Sequence, residues 1–262
     1  KKKLDLESLY TLEKKNHEQE QELNQERLRF YTNITHELRT PLTLILGPLE
    51  DMQKETSLPA KQAQKLSVIH QSALRLLNLI NQILEFRKTE TQNKKLCVSK
   101  GNIAPLIYEI GLKYKELNQK TKIDFQIQIE KEEMLLFFDK EIITIVLDNL
   151  ISNAIKYTEQ GRVTLSLYQT IRNEVAYTEI KVSDTGYGIS AEALPHIFDR
   201  YYQESGKHQA SGTGIGLALV KNLVTLHEGE IRAESMQNEG STFYISLLTD
   251  NIYPNALHAD ST

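Results

Sequence analysis

The sequence predicts a multidomain chain: an all-α helical hairpin that forms a four-helix bundle on dimerisation, followed by an α+β sandwich of helices on one sheet. Two observations carry this. Residues 30–55 and 60–90, joined by "TSLP", each place one broad apolar stripe at three- and four-residue steps. From residue 104 the texture changes to alternating, strand-like runs separated by helical segments.

The elements follow in order. Residues 1–29 hold no Gly or Pro and are rich in Glu, Gln, Lys and Leu, which predicts a helix. Leu9, Leu23 and Phe30 share a seven-residue register broken by Asn16, and the companion positions run Leu12, Gln19, Glu26. That pattern fits either a weak coiled coil that carries a signal or a solvated single helix. The next helix presents Phe30, Ile34, Leu38, Leu42, Ile45, Leu49 and Met52; its partner presents Leu66, Ile69, Ala73, Leu76, Ile80, Ile83 and Phe86. One pair of helices cannot bury both stripes, and a second copy would. This hairpin domain is assigned to 30–92, and "KTETQNKKLCVSKGN" (88–102) reads as a polar linker. The second domain, 100–249, reads as helix 104–119, strand 123–129, "MLLFFD", helix 140–157, strands 162–170 and 175–184, a Gly-rich region, helix 215–227 and two last strands, "EIRAES" and "STFYISLL". Residues 250–262 read as a tail leading to something further on.

Composition limits the function. The 262 residues are 40% hydrophobic and 25% charged with net charge −4, so no broad basic surface argues for direct nucleic-acid binding. The one cysteine, Cys97, excludes a disulfide framework within the chain and fits a reducing compartment. No apolar run approaches the roughly 18 residues that a membrane-spanning helix needs. The opening "KKK", without an initiator Met, leads us to expect a piece excised from a longer, membrane-spanning protein, with these basic residues just inside the membrane on its cytoplasmic side.

Three stretches of the second domain carry chemistry. In "DNLISNAIKYT" (148–158), Asn149, Asn153 and Lys156 fall near one helix face, with Leu147, Ile151 and Ala154 on the other. Such asparagines either hold a ligand or cross-link backbone. "SDTGYG" (183–188) ends a strand in an acid and two glycines; Asp184 can accept a hydrogen bond from an exocyclic amine, or the stretch is an ordinary turn. "SGTGIGLALVKNLV" (211–224) feeds Gly212, Gly214 and Gly216 into a helix start, which suits an anion or a structural hinge.

Taken together and in this order, these motifs resemble the ATP-binding domain of sensor histidine kinases, with its N box ("NLISNAIKYT"), its first glycine box ("DTGYG"), its F box ("PHIFDRYYQ") and its second glycine box ("GTGIGLAL"). The resemblance implies the histidine kinase/gyrase/chaperone-type ATP-binding fold, with ATP and Mg²⁺ as cofactors. It implies that Asn149 and Asn153 lie at the nucleotide, with Asn153 ligating Mg²⁺ and Lys156 and Tyr157 near the phosphates. Asp184 would read the adenine amine, and Gly186 and Gly188 would admit the base. Phe198, with Gly212, Thr213, Gly214, Gly216 and Leu217, would belong to a lid over the triphosphate. Many members carry an arginine where this chain has Gln203, and Arg200 and Lys207 are the nearby replacements.

The stretch "FYTNITHELRTPLTLILGPLE" resembles the H box of the same family, and is similar above all to hybrid two-component sensors of the Bacteroides type. His36 is then the phosphoacceptor, Glu37 the acid/base beside it, and Thr40, one turn on, a phosphatase residue. Pro41 lacks an N–H and crowds the carbonyl of Glu37, which would loosen the helix there. The implied partners are a second copy of the chain, as a homodimer, and the aspartate of a response regulator receiver domain, in cis downstream or in trans. A hydrolase of the wider superfamily would need a general-base glutamate four residues before the magnesium asparagine, where this chain has Asn149.

Overall fold

The computed structural model describes residues 14, 35, 38–53, 59–90, 94–118, 122–203 and 214–259. The expected helix 1–29 (Lys14 apart), His36, Glu37, Lys207, Gly212 and Thr213 lie outside the described residues. The chain divides into two compact units, Lys1–Lys94 and Lys95–Thr262.

The first unit contains α1 (38–53) and α2 (Ala60–Glu90). Helix α1 continues on both sides of Pro41. Leu42 and Leu46 of α1 bury against Ala73 and Ile80 of α2, with Leu77 packed beside them. Arg39 Nη2 donates to Asn81 Oδ1 across the pair at 2.6 Å. The stripe is only partly internal: Leu38, Ile45, Met52, Ile69 and Leu76 stay 44–52% exposed. One helix hides only the strip that faces its partner, so Leu38 and Ile45 stay outside while Leu46, off the expected stripe, is buried.

The second unit opens with β1 (Cys97–Asn102), α3 (Ile103–Leu117), β2 (Ile123–Ile129), β3 (Leu135–Phe138) and α4 (Lys140–Tyr157). It continues with β4 (Gly161–Arg172), β5 (Val175–Asp184), a short 3₁₀ turn (Leu194–His196), α5 (Gly216–Leu226), β6 (Glu230–Met236), β7 (Gly240–Leu248) and β8 (Leu257–His258). The main sheet runs β2-β4-β5-β7-β6, with β2 parallel to β4 and the other pairs antiparallel. Helices α3, α4 and α5 pack on it. Val163, Leu165 and Leu167 of β4, Ile180 and Val182 of β5, and Ile245 and Leu247 of β7 are nearly inaccessible and form the core. Glu179, just before Ile180 in β5, is buried as well, ion-paired to Arg172 (3.2 Å) and Arg232 (3.1 Å).

Local chemistry fixes the helix starts. Asn102 caps α3 by accepting from Ala104 N–H (3.1 Å), and also accepts from Met134 N–H (2.9 Å). Asp139 caps α4 by accepting from Ile142 N–H at Oδ1, while its Oδ2 accepts from Cys97 N–H, each at 3.0 Å.

Two stretches differ from the sequence-based expectation. The polar 88–102 segment ends in β1, with Val98 fully buried, and the 250–262 tail contains β8. Strand β1 pairs antiparallel with β3 and parallel with β8, so tail and linker share one small sheet. Neither strand has an alternating run long enough to show in sequence; each exists through a distant partner. Tyr253 of the tail is 1% exposed, and its hydroxyl lies 3.0 Å from Nδ1 of the buried His227.

Candidate nucleotide-binding site

The site grows from the C-terminal turns of α4 and the loop after β5. Leu147, Leu150, Ile151 and Ala154 are buried and hold α4 in place, so the polar positions of the helix have fixed directions. Asn149 is itself buried, and its Nδ2 donates to Ile145 O at 2.8 Å. Asn153, one turn on, is half-buried, and its carboxamide has no hydrogen bond to any described residue. Lys156 Nζ sits 3.3 Å from Tyr157 Oη and 4.8 Å from the ring centroid. Thr158 closes the helix by donating to Ala154 O at 2.7 Å.

Asp184, the last residue of β5, is buried, and its Oδ1 accepts from Gly186 N–H at 2.9 Å. A second backbone N–H, from Ser241, also reaches the carboxylate. Burial pushes the Asp184 carboxyl up from its ordinary value, and these two donors oppose the shift without cancelling it. A carboxylate with two fixed donors keeps lone pairs to accept from a third N–H.

Two contacts tie this loop to its surroundings. Tyr187 N–H donates to Tyr157 O (3.2 Å), and Asn238 N–H donates to Tyr187 O (2.7 Å). They bring "DTGYG" against the end of α4, so the N box and first glycine box meet. The approach is close enough to require glycine: a Cβ on Gly186 would lie 2.3 Å from Tyr157 O. Gly188 has φ +66°, and a Cβ there would lie 2.0 Å from Met236 O. Gly188→Ala is therefore expected to cost about 1–3 kcal/mol of domain stability, from backbone strain and steric conflict together, as measured by urea unfolding.

The remaining expected residues fall around α5. A Cβ on Gly216 would lie 3.0 Å from Asn149 Oδ1, so the helix start abuts the N-box asparagine. The first N–H groups of α5 lack intrahelical partners by geometry and present a positive dipole end. Leu217 is half-buried on its first turn. Phe198 packs edge-on against Phe243, with centroids 6.4 Å apart. Arg200 and Gln203 are exposed. Tyr201 N–H donates to Gly214 O at 2.9 Å, so residues 201 and 214 meet across the intervening stretch. Thr40 is exposed on α1 in the first unit. The sequence does not single out Ser241, because its contribution is a backbone N–H placed by pairing with Asp184. Gly240, at φ +115°, is the one local sign of that approach.

This donor set fits magnesium bound to a nucleotide. Among the described residues no three His, Cys, Asp or Glu side chains converge on a metal position. Magnesium held through substrate phosphates needs only one or two protein oxygens, and Asn153 offers one uncommitted carboxamide.

Comparison with known proteins agrees with this geometry. Residues 26–92 match the His Kinase A (phospho-acceptor) domain, and residues 138–251 match the histidine kinase-, DNA gyrase B-, and HSP90-like ATPase family. Histidine kinase P4 of Formosa agariphila is 37% identical over 253 residues, covering 94% of this chain and 18% of its own length. Sensor histidine kinase WalK of Bacillus subtilis is 31% identical, with 87% of this chain and 38% of its own length covered. The chain thus spans well under half of either relative. Full-length ShkA, solved in complex with AMPPNP, superposes with a TM-score of 0.65 at 25% identity, covering 83% of this chain and 45% of that one. With a phospho-acceptor domain followed by a kinase-type ATPase domain, the chain belongs to the sensor histidine kinase family.

Proposed function

We propose that this chain is the catalytic core of a two-component sensor, transferring the γ-phosphoryl group of ATP to His36 and from there to an aspartate of a response regulator receiver domain. The observation that carries the nucleotide reading is Asn153: its carboxamide is uncommitted, while Asn149 one turn earlier is tied to backbone. The AMPPNP bound by ShkA supports an adenine nucleotide as the ligand.

Asp184 accepts the exocyclic amine of adenine beside Gly186 and Gly188. Asn149, Lys156, Tyr157 and the N-terminal end of α5 at Gly216 and Leu217 face the phosphates. Gly212, Thr213 and Gly214, with Phe198 and Arg200, form the cover over them, Arg200 supplying the charge that Gln203 lacks. Asn153 would hold Mg²⁺, whose chemistry there would be neutralisation of phosphate charge. A neutral ring nitrogen of His36 attacks the γ-phosphorus in line. The N–P bond forms as the bond to the bridging oxygen breaks, ADP departs, and Glu37 takes the proton from the imidazole. Thr40 serves a separate phosphatase activity by positioning water to attack the regulator's phosphoaspartate, releasing inorganic phosphate and the free aspartate.

The half-exposed Leu38, Ile45, Met52, Ile69 and Leu76 support a homodimer in which a second hairpin covers them. The whole protein is a membrane sensor, and this part is cytoplasmic. The test is incubation with γ-labelled ATP, with Mg²⁺ or with EDTA, followed by a chase with a purified receiver domain. Label that needs Mg²⁺ and moves to the receiver is expected; phosphate release without labelled protein would make the chain a hydrolase instead.

A further inference from the structure

Helices α4 and α5 touch at two places far apart along both of them. Near one end, Gly216 abuts Oδ1 of Asn149, and at the other, Nε2 of His227 accepts from Asp139 N–H at 3.0 Å. The contacts are ten residues apart on α4 and eleven on α5, so the helices run antiparallel with matched spans of about 15 Å. One contact sits at the nucleotide end and the other is a single buried hydrogen bond.

The acceptor role of Nε2 requires a particular form of the ring. Nε2 has no proton, so Nδ1 carries it and donates to the Tyr253 hydroxyl at 3.0 Å. Tyr253 stacks edge-on against the same ring, with centroids 5.1 Å apart. It belongs to residues 251–259, a strap with three anchors. Asn251 Nδ2 donates to Glu228 Oε2 (2.9 Å), while Leu257 N–H and Ala259 N–H donate to Leu96 O and Val98 O (2.9 Å each). Most of this strap lies past residue 251, where the match to the ATPase family ends.

We propose that His227 is a positioning residue for the nucleotide site: it fixes the register of α5 on α4, with Asp139 N–H selecting the tautomer and Tyr253 of the strap accepting from the other ring nitrogen and holding the ring in place. The inference rests on the nucleotide reading of the Gly216 end. An imidazolium would turn a second N–H toward Asp139 N–H and break the contact, so the register is acid-sensitive. The charged groups around the ring are Asp139 of the α4 cap and Glu228 beside it; burial lowers the His227 pKa and these two oppose that. The folded-state value therefore lies below the unfolded one. The unfolded chain binds the extra proton first, and stability falls as pH drops below the ordinary imidazole range.

The test uses the whole chain, with trinitrophenyl-ATP fluorescence as the binding probe and amide hydrogen exchange as the probe of register. His227→Phe keeps the ring and removes the acceptor. It is expected to bind about tenfold more weakly at neutral pH and to exchange faster at 215–219 as well as at 139–142. His227→Gln keeps an acceptor and a donor and does not titrate. It is expected to bind within about threefold of wild type and to lose part of the acid dependence below about pH 6.5. Asp184 also titrates on the acid side, so only the part removed by this variant counts. Tyr253→Phe, the milder change, is expected to move binding and exchange as His227→Phe does, and it decides the matter if the latter does not fold. Exchange changes confined to 139–142 and 226–228, with unchanged affinity, would overturn the proposal, as would an intact acid dependence in His227→Gln. If wild type binds no nucleotide, the proposed function fails, and the exchange at 215–219 still decides the register.

Discussion

Asn153→Ala is expected to lower the rate of histidine labelling by about 10²–10³-fold, with the protein still folded and still able to take up the adenine ring. The side chain makes no hydrogen bond to any described residue, so its removal breaks no hydrogen bond among them. A purely structural asparagine would behave in the opposite way, losing stability and leaving magnesium dependence intact. The check is a nucleotide titration with and without Mg²⁺: the variant with Mg²⁺ should resemble wild type in EDTA. An Asn153→Ala protein that still gains affinity from Mg²⁺ would remove this residue from the metal site.

Asp184→Asn is expected to weaken ATP binding by about 10²-fold and to narrow the difference between ATP and GTP. The carboxylate is buried and accepts from Gly186 and Ser241, so a carboxamide must either turn its NH₂ toward those donors or toward the adenine amine. Both put donor against donor. The pH dependence has a definite sign. The ionised carboxylate receives the amine, so affinity is full above the Asp184 pKa and falls as pH drops through it. Because burial raises that pKa, the loss begins above the usual aspartate range. Isothermal titration across the acid range should show this fall in wild type and a flatter profile in Asp184→Asn. Equal affinity of the two proteins for ATP at neutral pH would sink the assignment.

The parts of the site legible in the sequence are those whose signal is local. Helix α4 shows itself through its apolar spacing, and "DTGYG" through glycines that are needed because backbone approaches backbone at Tyr157 and Met236. Strand β1 was hidden because "LCVSKGN" is short and mostly polar, and its partners lie at Leu135–Phe138 and Leu257–His258. Ser241 acts through an N–H that every residue but proline has, so no residue type announces it. His227 in "TLHEGE" gives no sign that it meets Asp139 and Tyr253, residues 88 and 26 positions away. In the hairpin, periodicity gives the stripe, but the half that faces Ala73 and Ile80 is decided by packing. That is why Leu46 is buried and Leu38 is not.

In the proposed reaction His36 carries the phosphoryl group. The most direct measurement compares wild type and His36→Gln after incubation with γ-labelled ATP and Mg²⁺, with the label challenged by acid and by alkali. Acid-labile, alkali-stable label on wild type, absent from His36→Gln, is the predicted result, since a phosphoramidate hydrolyses in acid. Label that survives acid, or that persists in His36→Gln, would contradict it.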